Sequence, residues 1–353
     1  MRALVPAVAA AVLLMTTLAA SAENWADVRD PVTTGSEYAR SKAICRALKG
    51  VSLPTPEIAS RDGGTPPSRE SCNSEALYYG IGVKPDPARA LRCALRERAA
   101  PDGGRGSGSA FSGDVMLMTI YANGVGAPRD LDRAIAIACE LDAAPAESDG
   151  RVNHLAALKA QHWTGHDFSF CDDVTSGYAH GVCAAHDAAV EDAKRGQRLA
   201  TLTAGWSETD KHAFLALRRA EAAYAETRGA DEVDMSGTAR GAMSIGERQG
   251  QEAEFLDLLQ GLEKGAVPAS TAQQSDEADA RMNAAYQRIQ HATDITSWGT
   301  VTKDGIRTAQ RAWLRYRDAW IAFARVRYPA IGPESLRAAL TEKRTAVLET
   351  FLQ

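Results

Sequence analysis

The sequence predicts an all-α protein, with a short helical-repeat, solenoid-like unit followed by two small helical-bundle or hairpin domains. Three observations carry this prediction. Apolar side chains recur every three or four residues between Ile306 and Phe323, which is the spacing of one helix face. A glycine-rich segment occurs twice, 44 residues apart, and each copy leads into a helix-like pattern. A second helical pattern recurs 89 residues apart in the carboxy-terminal half.

Residues 1–22 are predicted to be a secretory signal peptide. The chain begins Met1-Arg2, continues with an apolar run through Leu14, and reaches a small-residue cleavage site that ends at Ala22. No later stretch approaches ~20 consecutive apolar residues, so no membrane span is expected. The expected location is the periplasm or the exterior. Residues 23–65 are predicted to form an amino-terminal capping segment, broken near its end by proline and glycine pairs.

The cysteine count indicates an oxidising compartment. The chain has six cysteines, an even number, and export favours their pairing into three disulfides. Count and spacing leave the connectivity open. The cysteines are Cys45, Cys72, Cys93, Cys139, Cys171 and Cys183.

Residues 66–160 contain the glycine-rich repeat. Its copies are 80–91 (GIGVKPDPARAL) and 124–135 (GVGAPRDLDRAI). Glycine tolerates positive φ in the turn, and an aspartate at a helix start accepts backbone N–H bonds, which predicts helix, tight turn and capped helix. The pattern resembles the Sel-type repeat, a relative of the tetratricopeptide helix pair. That resemblance implies a stacked helical surface that binds other proteins. The insert 101–109 is expected to be a loop.

A helix is predicted from Ile306 to Tyr328. Pro329 cannot continue a helix and biases Tyr328 away from helical angles, so the helix should stop there. The opposite face is charged and carries Arg307, Arg311, Arg315, Asp318 and Arg325. The apolar seam consists of Ile306, Ala309, Trp313, Tyr316, Trp320 and Phe323.

This helix and two flanking segments resemble the lysozyme-inhibitor LprI N-terminal domain family. The flanking matches are Met282-Asn283 with Tyr286, and Leu340-Thr341 with Arg344. The resemblance covers the last quarter of the chain, within a domain expected at 271–353, and implies a small helical domain that inhibits lysozyme. Ile321 stands where the family usually carries a cysteine, so the family's disulfide between these helices is expected to be missing. The signature helix matches at Arg307, Ala309, Gln310, Arg311, Trp313, Tyr316, Arg317 and Asp318.

Residues 166–265 are predicted to be a degenerate second copy of this domain, joined to it by a linker at 265–275. The segment 217–224 matches 306–313 at a constant offset of 89, and Arg228 matches Arg317 at the same offset. Further on, Arg248 with 255–256 matches Arg344 with 351–352. The start of this copy matches the opening of the LprI-like family, and that resemblance implies a disulfide between Cys171 and Cys183.

The motif residues have two interpretations. In the structural one they hold the helices together: Trp313 and Trp320 fill the seam, Arg317 stacks on Trp313, and Asp318 pairs with Arg344 or Arg315. In the functional one, some of them form an exposed Trp/Arg surface of the kind enriched in protein-binding hot spots. The candidate interaction residues are Arg307, Gln310, Arg311, Trp313, Tyr316, Arg317, Asp318 and Arg344.

Catalytic and cofactor signatures are absent from the sequence. It contains no G-x-S-x-G, no P-loop and no dinucleotide fingerprint, so neither a catalytic residue nor a cofactor is expected. His162 and His166 are four apart, but Thr164-Gly165 interrupts the helix, so no metal site is predicted. The net charge is −5 without a clustered basic face, which argues against nucleic-acid binding.

Two hypotheses about the partner, both non-catalytic, remain. One is a lysozyme-like enzyme, as the LprI resemblance implies. Residues 165–265 hold 18 acidic against 10 basic side chains, whereas 266–353 hold 9 against 12, so only the first region would attract a cationic enzyme. The other hypothesis is an envelope scaffold that binds a client protein through the Sel-type repeats.

Overall fold

The computed structural model describes residues 23–29, 31–52, 72–100, 110–266 and 269–353. Every regular element in these ranges is helical, which confirms the all-α prediction. The predicted signal peptide, residues 53–65 of the capping segment and the insert 101–109 lie outside the described residues. The α-helices are α1 (Ala39–Leu48), α2 (Ser74–Tyr79), α3 (Pro87–Arg98), α4 (Gly113–Asn123), α5 (Leu131–Ala138), α6 (Pro145–Ala160), α7 (Gly177–Thr203), α8 (Glu208–Asp231), α9 (Arg240–Glu263), α10 (Ala272–His291), α11 (Lys303–Arg327) and α12 (Pro333–Thr350).

The chain divides into two compact units. The first contains the described residues up to Asn73 together with Leu91–Thr164, and the second contains Ser74–Ala90 together with Gly165–Gln353. The domain borders expected from the sequence stay a prediction.

The first unit is held by a small buried core and disulfides. Helix α5 packs between α4 and α6, and α1 packs on α6. Cys45 of α1 is bonded to Cys139, with 5.7 Å between their Cα atoms, and Cys72 is bonded to Cys93. Trp25 is buried beside them and donates its indole N–H to Ser41 Oγ at 2.9 Å.

The two glycine-rich segments adopt the same local backbone. Gly80 and Gly124 both have positive φ, +77° and +67°, where a side chain would be strained. Asp86 and Asp130 each accept a hydrogen bond from the backbone three residues on, at 2.9 and 3.0 Å. This is the glycine turn and aspartate cap that the sequence predicts.

The second unit contains six long helices in two successive groups of three. We call α7–α9 (177–263) the amino-terminal trio and α10–α12 (272–350) the carboxy-terminal trio. In each trio the first helix packs on the third, and the middle helices α8 and α11 pack extensively along each other. One hydrophobic core therefore runs through both trios.

Side-chain caps define where these long helices begin. Ser207 with Asp210, and Thr271 with Gln274, form reciprocal capping boxes at the starts of α8 and α10. Helix α11 ends at Arg327, and Tyr328 has non-helical angles before Pro329, as expected. No helix within the described residues is both long and apolar enough to cross a membrane.

Candidate functional site in the paired trios

The aromatic seam of α11 is buried against the amino-terminal trio. All six seam residues predicted from helical spacing are buried. Tyr316 stacks on Tyr224 of α8 with ring centroids 5.3 Å apart, and Trp320 lies 5.2 Å from Phe255 of α9. Phe323 is 5.6 Å from Phe214. Such aromatic pairs add roughly 0.5–1.5 kcal/mol each beyond their buried area, so this seam binds the two trios together.

Arg344 is the centre of a buried polar network at the same interface. Its side chain is inaccessible to solvent. Its Nε donates to Gln310 Oε1 at 2.7 Å, and its two terminal nitrogens donate to the two carboxylate oxygens of Glu232 at 2.8 and 2.6 Å. Gln310 in turn directs its amide N–H group to the sulfur of Met282 on α10 at 3.3 Å. The network joins α12, α11, α10 and the residue after α8.

The electrostatics of this network keep Arg344 charged. Burial alone would lower the pKa of Arg344, but the neighbouring Tyr224 and Glu232 raise it above its ordinary value. The guanidinium carbon also lies 5.8 Å from the centroid of the Tyr224 ring. A bidentate arginine–carboxylate pair fixes geometry as well as charge. Its role is therefore to hold the trios in register.

The candidate residues divide into a buried and an exposed set. Gln310, Trp313, Tyr316 and Arg344 are buried, so the tryptophan of the motif does not contribute to an exposed Trp/Arg surface. Arg307, Arg311 and Asp318 are exposed, whereas Arg317 is largely covered, with 16% of its side chain exposed.

Two expected contacts of the motif have different outcomes. Arg317 stacks over Trp313 at 5.2 Å, as the structural interpretation expects. The expected pairing of Asp318 with Arg344 or Arg315 is wrong: Asp318 accepts from its neighbour Arg317 at 3.0 Å. Arg344 points into the core and finds Glu232 there.

Glu232 is the buried partner of Arg344 that sequence reasoning missed. It lies 112 residues before Arg344 and belongs to no recognised motif. One signal was present in the sequence. Glu232 follows the carboxy-terminal end of α8, where the helix dipole disfavours a negative charge, so an acid there needs a cation: Arg228, one turn earlier, lies 3.5 Å away, and Arg344 is the second.

The amino-terminal trio places different polar groups at the corresponding positions. Glu221 stands 89 residues before Gln310, is fully buried, and accepts from Arg218 at 2.7 Å. Burial raises the pKa of Glu221 to about 7. Arg228 stands 89 residues before Arg317 and lies 6.0 Å from the Tyr224 ring, as Arg317 lies over Trp313.

The space beside this network is small. Tyr224, Trp313, Tyr316 and Arg344 line a cavity of about 20 Å³. Sites for drug-sized ligands usually offer roughly 300–1,000 Å³, whereas this volume holds about one water molecule. The arrangement therefore supplies rigidity rather than a binding pocket.

Disulfide bonds complete the description. Cys171 and Cys183 are bonded, with their Cα atoms 5.8 Å apart, at the start of the amino-terminal trio. Together with the two bonds of the first unit, all six cysteines are paired. Three disulfides fit a location outside the cytoplasm.

Comparison with known proteins adds one family. No curated protein and no solved structure matches the chain. A family model described as "Lysozyme inhibitor LprI" matches residues 264–348, which span α10, α11 and nearly all of α12. The matched family is one of inhibitors rather than of enzymes. The carboxy-terminal trio is thus similar to the lysozyme inhibitor LprI family, and the match does not extend into the amino-terminal trio.

Proposed function

We propose that this protein is exported and binds a lysozyme-type enzyme, which it inhibits without catalysing a reaction itself. The observation that carries the proposal is the LprI family match over residues 264–348. Three disulfides support export, because such bonds persist in oxidising compartments. The rigid interior of the carboxy-terminal trio supports a role in binding, because a preorganised surface loses little entropy on association.

We further propose that α7–α9 arose as a duplicate of α10–α12. Both trios pack their first helix on their third. Arg228 over Tyr224 and Arg317 over Trp313 occupy positions related by the same offset of 89 residues. In this proposal the duplicate covers the aromatic seam of α11, so the inhibitor module and its cover are one unit. The surface that meets the enzyme is then elsewhere than the seam.

A peptidoglycan-lysis assay tests the proposed function. Purified protein is added at micromolar concentration to cell-wall suspensions with lysozymes of several classes, and the fall in turbidity is followed. We expect lysis by at least one class to slow in proportion to added protein. A control with an unrelated acidic protein of similar net charge is needed, because polyanions bind cationic enzymes non-specifically. If no lysozyme is slowed, the proposal is wrong.

A further inference from the structure

An exposed tyrosine lies at the end of the amino-terminal trio where α7 begins. Tyr178 is 80% exposed, and Met243, in the first turn of α9, is 48% exposed. We call the surface formed by residues 171–183 and 237–243 the Tyr178 tip. Single exposed apolar side chains are common on protein surfaces, but tyrosine is among the residues enriched in binding hot spots.

The backbone of the tip is fixed from several sides. The disulfide between Cys171 and Cys183 closes the segment that carries Tyr178. Ser176 caps α7 by accepting from the backbone of Ala179 at 3.2 Å. A tyrosine presented on a rigid backbone gives a large contact area at a low cost in conformational entropy.

Glycine packing brings the two parts of the tip together. A Cβ on Gly177 would overlap Thr238, and the Cβ position of Gly181 lies 4.0 Å from the Cα of Gly241. The first turn of α7 therefore sits directly against the start of α9. Tyr178 directly follows Gly177 in the chain, and Met243 lies two residues after Gly241.

The charge around the tip is predominantly negative, although the tip itself contains one exposed cation, Arg240, whose guanidinium donates to the carbonyl of Gly237 at 2.8 Å. Residues 165–187 contain four aspartates and neither lysine nor arginine. Asp172 is held in place because it accepts from the backbone N–H of Ser169 at 2.8 Å. In contrast, the outer face of α11 is rich in arginine, and residues 266–353 carry a charge of +3. A cationic partner is attracted to the tip and repelled from α11.

We propose that the Tyr178 tip is the docking surface for a lysozyme-type enzyme of net positive charge. This inference rests on the proposed function and names the surface that carries it. Tyr178 and Met243 supply the apolar contact, and the surrounding aspartates steer the cationic enzyme toward it. The residues responsible then belong to the amino-terminal trio, outside the part of the chain that matches the LprI family.

Binding to an immobilised cationic c-type lysozyme tests this surface. We expect Tyr178→Ala to weaken the Kd at least about tenfold, because it removes an exposed aromatic anchor. The matched control is Leu215→Ala, which removes another exposed apolar side chain (57% exposed) from α8 of the same trio. It should change the Kd by less than about twofold. Circular dichroism and Tm show whether each variant is folded.

Paired charge variants test the steering. Asp167→Asn combined with Asp187→Asn should slow association several-fold at low salt, and the difference should vanish in high salt. Asp276→Asn, an exposed aspartate of the carboxy-terminal trio, is the matched control and should leave the association rate unchanged.

The outcomes separate the two proposals. If the unaltered protein binds the lysozyme and only the tip variants weaken binding, the inference is supported. If binding occurs but Tyr178→Ala behaves like Leu215→Ala, the tip is not the surface, while the proposed function stands. If the unaltered protein does not bind this lysozyme, the docking inference is overturned, and the peptidoglycan-lysis assay with the other lysozyme classes decides the proposed function.

Discussion

The two trios differ most clearly at one pair of corresponding residues, Gln310 and Glu221. Gln310 is a neutral amide that receives a hydrogen bond from Arg344 at 2.7 Å. Glu221 is a carboxyl group: one oxygen accepts from Arg218, and the other has no hydrogen-bond partner among the described residues. The carboxy-terminal trio thus buries a network in which Arg344 and Gln310 are hydrogen-bonded. The amino-terminal trio instead buries a carboxyl group that lacks one of its hydrogen bonds. Similar helix packing tolerates both, because the shared aromatic core supplies most of the cohesion.

The largest expected effect comes from breaking the satisfied network. Arg344→Met removes both hydrogen bonds to the buried Glu232 carboxylate and leaves it only the longer ion pair with Arg228 at 3.5 Å, which should cost about 3 kcal/mol of unfolding free energy. Urea denaturation measures this loss. Arg311→Met is the matched control, since Arg311 is exposed on α11 and should change stability by less than ~0.5 kcal/mol. Adding Glu232→Gln to Arg344→Met should recover part of the lost unfolding free energy. A double variant that is less stable than Arg344→Met would contradict this account.

A smaller, pH-dependent effect is expected at Glu221. Its ordinary pKa is 4.5, and burial raises the pKa in the folded protein to about 7. Between these values the folded state binds one more proton than the unfolded state, so stability falls as pH rises from about 4.5 to 7. Besides Arg218, the charged groups that act on Glu221 are Glu252, Arg195 and Asp192.

Replacing Glu221 by Gln should therefore remove this dependence. Glu221→Gln should stabilise the protein at pH 8 by ~1–3 kcal/mol and change little at pH 4.5. Denaturation midpoints across this pH range give the comparison, with Glu226→Gln, an exposed acid of the same helix, as the control. A loss of stability at pH 8 would mean that the ion pair with Arg218 outweighs the burial cost.

The smallest effect is expected where the loops of the two trios meet. Asp234, between α8 and α9, accepts hydrogen bonds from the hydroxyl of Ser236 and from the backbone N–H groups of Ser236 and Thr300. These bonds lower the pKa of Asp234 to about 2. Its contribution is present above its ordinary pKa of 3.8 and is lost as pH falls through 2.

Asp234→Asn should lower Tm at pH 6 by less than Arg344→Met does, because Asp234 lies in a partly exposed loop, whereas Arg344 is fully buried. The difference in Tm between variant and unaltered protein should shrink toward pH 2. A calorimetric pH series measures it. An unchanged Tm at pH 6 would show that this contact does not link the two loops energetically.

Local features of the fold were predictable from the sequence, and distant pairings were not. The spacing of Ile306 to Phe323 predicts the buried face of α11, and Pro329 predicts its end, because both depend on nearby residues. The structural interpretation of the motif also expected Arg344 or Arg315 as the partner of Asp318, and that was wrong. Arg344 pairs with Glu232 across 112 residues, and the sequence indicates at most that Glu232 needs a cation, not which cation lies beside it.

The motif alone also could not separate buried from exposed side chains. From the motif alone, Trp313 of α11 resembles a binding hot-spot residue, but α8 packs along this helix. Only the packing of the middle helices shows that the aromatic residues stabilise the protein internally. The Sel-type assignment and the scaffold hypothesis stay predictions.

Helix α8 lying along α11 has a practical consequence for dissecting this chain. A fragment cut at the family border, residues 264–353, would bare the rings of Tyr316, Trp320 and Phe323 to water. An exposed apolar surface of this kind drives self-association, so the fragment should dimerise or precipitate rather than behave as a monomeric inhibitor. If this fragment lost activity, the cause would be the absence of the helices that cover the seam. The loss would not show which trio contacts the enzyme.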